Sequence, residues 1–93
     1  MNKNSEIKKL FDSTQIVSLL ADDSELPLEV IEVKTITSSM PEQTAFSVLL
    51  QAKPDQLWEQ GMFELQLADI KLVVFMVPIN QTKAGVIYEV VFN

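Results

Sequence analysis

Apolar residues recur along this chain at two periods, and the change of period divides it. Within residues 5–11, Ile7, Leu10 and Phe11 stand at i, i+3 and i+4, one face of a short helix for which Ser5 is the expected N-cap. One or two turns are not stable alone, so this piece is expected to dock on something apolar. From Thr14 onward the period is two, and strands are expected over residues 15–20, 28–36, 45–52, 62–67, 70–77 and 86–92.

Several of these segments alternate cleanly. Phe46, Val48, Leu50 and Ala52 share one face; Phe63, Leu65 and Leu67 oppose Glu64 and Gln66; Val86, Tyr88, Val90 and Phe92 oppose Ile87, Glu89 and Val91. The segment 28–36 slips in parity, because Leu28 and Val30 fall on one side and Ile31 and Val33 on the other. A β-bulge near Val30 and Ile31 would bring all four to one face. Turn chemistry separates the strands: Ala21-Asp22-Asp23-Ser24, a polar stretch 37–43 containing Pro41, a longer connection 53–61 in which Gly61 is expected to supply a positive φ, the tight pair Ala68-Asp69, and residues 80–85. Pro78 is expected to stop the fifth strand.

That fifth strand poses the main question. Leu72 to Val77 are six apolar residues in a row, so both faces of the strand are apolar. One face, either Leu72, Val74 and Met76 or Val73, Phe75 and Val77, enters the core. The other must be covered by the N-terminal helix and the 53–61 connection, by a second copy, or by another protein. If the last strand pairs with the fifth, Ile87 and Val91 enlarge the outer apolar surface, and Leu49 adds to it. At about 25 cal/mol per Å² such a surface left in water forfeits several kcal/mol, comparable with the stability of a small domain. The expected fold is therefore an all-β single domain, residues 1–93: a small antiparallel barrel or sandwich of about six strands over 13–93, with a short N-terminal helix or arm over 1–12. A chain ending on a strand also offers a free sheet edge to a neighbour unless the barrel closes.

Composition narrows the function. Thirteen acidic residues against seven basic ones, all lysine, give a net charge of −6. A chain that repels phosphate and lacks the arginine fork is not expected to bind nucleic acid. No run approaches the roughly 18 apolar residues of a membrane-spanning helix, and no classical signal peptide is evident, so a soluble protein made in the cytoplasm is expected, without membrane insertion.

Histidine and cysteine are both absent, which removes Ser-His and Cys-His nucleophiles and imidazole or thiolate metal sites. Asp22-Asp23-Ser24-Glu25 lacks the spaced ligands of a calcium loop and is explained by turn chemistry. Glu29 and Glu32 read as outward-facing solubilising groups rather than a catalytic pair. Trp58 and Leu57 sit in the 53–61 connection; Trp58 is either a plug on the barrel mouth or a binding anchor. No catalytic, cofactor or metal site is expected.

The C-terminal half resembles an uncharacterised family of small bacterial β-domains. The shared motifs are Phe46-Ser47-Val48-Leu49, Gly61-Met62-Phe63, Phe75-Met76-Val77-Pro78 and Tyr88-Glu89-Val90-Val91-Phe92-Asn93, within residues 44–93. Where that family usually has a glycine in the hairpin, this chain has Ala68-Asp69. Its members look like companions of phage-tail-collar-like proteins, so the resemblance implies a structural role.

Taken together, a non-enzymatic assembly protein is expected, self-associating or docking on a larger structural protein through Val73, Phe75, Val77, Ile87 and Val91, with Ile7, Leu10 and Phe11 as an arm, and incorporated in a phage-tail-like or extracellular assembly. The alternative is an acidic binding module that docks on a basic site through Asp22, Asp23, Glu25 and Trp58.

Overall fold

In the computed structural model, residues 3–21, 24–36 and 45–92 are described. Helix α1 (Lys3–Asp12) is followed by strands β1 (Ile16–Ala21), β2 (Ser24–Ile36), β3 (Ala45–Ala52), β4 (Gly61–Leu67), β5 (Ile70–Thr82) and β6 (Gly85–Phe92). The strands close into an antiparallel barrel in the order β1-β2-β3-β6-β5-β4. The order is not sequential, as a simple up-and-down barrel would be: β3 and β4 are separated by β6 and β5. Residues 53–60 must therefore cross one mouth of the barrel. Closure also pairs β6 on both sides, with β3 and with β5, which removes the free C-terminal edge.

Inward-facing residues alternate as the period of two requires. Val17, Leu19, Leu28, Val48, Leu50, Leu65, Leu67, Met76, Val86 and Val90 are buried in one core. The expected bulge in β2 is present: Val30 faces Leu50 and Glu32 faces Leu49, leaving Ile31 as the extra residue. Leu28, Val30 and Val33 turn inward, but Ile31 itself is exposed, because the bulged residue has no partner across the ladder.

A second bulge lies in β5, where Pro78 faces Tyr88 and Asn80 faces Ile87. Pro78 thus does not end the strand. β4 runs out opposite Met76, so beyond that point β5 has no β4 residue paired on that side and a residue without N–H is tolerated. The glycine roles are also exchanged relative to expectation. Positive φ belongs to Gly85, at 156°, and to Ala68, at 57° in the β4–β5 turn, rather than to Gly61. A Cβ on Gly85 would collide with the Ala52 carbonyl oxygen, whereas Gly61 has open space around it.

The two mouths are closed differently. At one, α1 begins at Lys3, which puts Ser5 inside the helix rather than at its cap. Ile7 and Phe11 are buried and Leu10 packs beside them. The Phe11 ring meets Phe46 at 6.4 Å and Phe92 at 5.7 Å, and those two stack at 4.6 Å. At the other mouth, the crossing segment lowers Trp58 onto Tyr88, 5.5 Å between ring centroids, and Phe63, 6.0 Å.

Candidate functional site

Parity on β5 is decided by its neighbours. Phe63 faces Val74 and Val90 faces Met76, all turned to the core, so Lys71, Val73, Phe75 and Val77 point outward. Across β4 the outward partners are Met62 opposite Phe75 and Glu64 opposite Val73. Across β6, Glu89 stands opposite Val77, and β3 then places Leu49 opposite Glu89 and Ser47 opposite Val91. One outer side of the barrel is consequently an apolar band. Its most open members are Met62 (63% exposed), Val73 (65%), Phe75 (48%) and Val91 (45%), with Val77, Ile87 and Leu49 half-buried between them.

Val73, Phe75, Val77, Ile87 and Val91 are brought together on this band as the strand periods imply. Ile7, Leu10 and Phe11 are not part of it. Their apolar face is used on the chain's own core, so they form a plug and not a free arm. The plug and the crossing segment both lie over the mouths, and neither shields the outer side of β5. Met62 joins the band without having been singled out. Its parity with Glu64 is the sequence signal that places it there.

The remaining candidates are dispersed. Asp22 and Asp23 lie outside the described residues, and Glu25 is exposed at the start of β2. Trp58 is half-buried over the mouth, where its backbone N–H donates to Tyr88 Oη at 2.7 Å and Tyr88 Oη donates to the Gln56 carbonyl at 2.8 Å. Both bonds fasten the crossing segment. Burial raises the Tyr88 pKa from 10.0, opposed by the Trp58 N–H donating to the phenolic oxygen. This hydroxyl is a latch between two backbone groups of the crossing segment.

Chemistry elsewhere is sparse. Glu29 and Glu32 are exposed on the outside of β2. A shallow trough of about 240 Å³ runs along Ile16, Pro27, Glu29, Lys53 and Pro54, with one carboxylate and one ammonium on its lining. Among the described residues no three His, Cys, Asp or Glu side chains converge as a metal site would need. No helix among them is long and apolar enough to cross a membrane.

A family model for a domain of unknown function (DUF6916) matches residues 5–92, nearly the whole chain. No curated protein and no solved structure matches it.

Proposed function

We propose a role for this chain on two premises: it belongs to the DUF6916 family, and one outer side of its barrel is apolar. The protein is a non-enzymatic assembly component that docks through the outer side of β4, β5 and β6. What carries this reading is the exposure of Met62, Val73, Phe75 and Val91 in one continuous band. The largest apolar patch of an ordinary monomer covers roughly 300–600 Å², and contiguous patches of that order are commonly used for binding. Burying several such side chains supplies several kcal/mol of association energy at about 25 cal/mol per Å², before the cost of immobilising two bodies. The acidic-module alternative has less support, since Trp58 is engaged by Tyr88 and Phe63 inside the chain. The resemblance to companions of phage-tail-collar-like proteins supports a phage-tail-like or surface assembly as the setting.

A photo-crosslinking residue placed at position 75, with position 32 on the outside of β2 as control, tests this in cells. The expected result is one discrete adduct from position 75, abolished by Val73→Asp, and none from position 32. No adduct from position 75, or the same adducts from both, refutes the reading.

A further inference from the structure

We propose that the occupant of this band is a second copy of the chain, packed face to face with its β5 antiparallel to the first, about a two-fold axis lying between Val73 and Phe75. The inference rests on the docking reading above and specifies its partner.

A two-fold interface uses the same patch on both copies, so the patch must be complementary to itself. The order of outward residues along β5 meets that condition. Lys71 stands at one end, Val73, Phe75 and Val77 follow, and Glu89 of β6 lies opposite Val77 at the other end. Turning one copy end for end sets Val73 against Phe75 of its mate. It also brings Lys71 over Val77 of the mate, and so beside the mate's Glu89, once at each end of the interface. Two facing sheets pack about 10 Å apart, a gap that extended lysine and glutamate side chains can span together. A parallel arrangement would set Lys71 on Lys71 and carry Glu89 over the mate's β4 side, away from the mate's Lys71, so the end charges select the antiparallel one. Glu64, opposite Val73 on β4, comes near its own counterpart across the axis, an unfavourable contact.

Size is also sufficient. A standard interface takes about 800 Å² from each partner, and one long face of a 40 × 27 × 23 Å molecule can supply that. With −6 on each copy, general association is disfavoured, and only a specific apolar contact overcomes the repulsion.

Sedimentation equilibrium over a range of concentrations tests the inference, with circular dichroism confirming that each variant is folded. The wild-type mass is expected to rise from 10.5 kDa toward twice that value. Lys71→Glu and Glu89→Lys should each weaken dimerisation at least about fivefold; the double variant Lys71→Glu/Glu89→Lys should restore it, and Glu64→Gln should tighten it. A wild type that stays at 10.5 kDa throughout, while position 75 still crosslinks to a different protein, overturns the second-copy inference and leaves the docking reading standing. A monomer with no crosslink from position 75 removes both. A dimer whose double variant shows no recovery overturns the antiparallel arrangement.

Discussion

β2 and β5 do the same architectural work with opposite exteriors. Each runs for thirteen residues, each bends at one bulge, and each lines the core with its inward side. Outside, β2 carries Glu29, Glu32 and Lys34, all exposed, while β5 carries Val73, Phe75 and Val77. The barrel therefore has no need of an apolar outer surface on a long bent strand, since β2 dispenses with one. The exterior of β5 is instead what the proposed docking would use.

On the inside the two strands should respond alike. Leu28→Asp on β2 and Val74→Asp on β5 each bury an unpaired carboxylate in the core and should unfold the domain, at a cost above about 4 kcal/mol, visible as loss of the cooperative thermal transition. Survival of Val74→Asp with a native-like transition would mean that the inner and outer sides of β5 are misassigned.

A smaller effect is expected from the latch over the mouth. Tyr88→Phe strands the Gln56 carbonyl and the Trp58 N–H, which should cost about 1–3 kcal/mol in denaturant unfolding. It should also change the response to base. The unfolded tyrosine ionises near 10.0 while the folded one keeps its proton to higher pH. Its contribution is complete below pH 10.0 and is lost as the pH rises toward the raised folded value. Wild-type stability should thus fall above that pH by this route, and the phenylalanine variant should lack the added slope. This separates the crossing segment from β5: if the segment guarded the outer band, Tyr88→Phe would alter association as well, and no such change is expected.

Ala68→Gly should act in the opposite direction. An alanine at φ 57° is held in a conformation that glycine adopts freely, so the substitution should stabilise the β4–β5 hairpin. The gain is about 1 kcal/mol, the left-handed strain removed less the greater freedom of the unfolded glycine. A higher melting temperature with unchanged association would confirm that hairpin stability and docking are independent.

Alternation in β4 and β6 was legible because only one face of each is uniformly apolar, and the parity slip from Leu28 to Val33 announced the first bulge. The second bulge was hidden by Pro78, which reads as a strand end when its neighbours are unknown. Gly61 and Gly85 could not be ranked from sequence, because the demand for glycine at 85 comes from the Ala52 carbonyl on another strand. Strand order was equally out of reach, since the crossing of residues 53–60 depends on which strands pair. For the band itself, sequence showed that β5 had two apolar faces. Only pairing with Phe63 and Val90 decided which one was left outside, and only packing revealed that Ile7, Leu10 and Phe11 were already committed to the core.

The smallest effect on folding should accompany the largest on assembly. Val73→Asp sits at a position 65% exposed, so at a dilution where both proteins are monomeric its melting midpoint should stay within what about 0.5 kcal/mol produces. That midpoint, taken at high dilution, and the sedimentation mass at higher concentration together separate docking from folding. An assembled wild type beside a folded variant reduced to 10.5 kDa is expected; an equally assembled variant, or one unfolded by the substitution, would overturn docking through the outer side of β5.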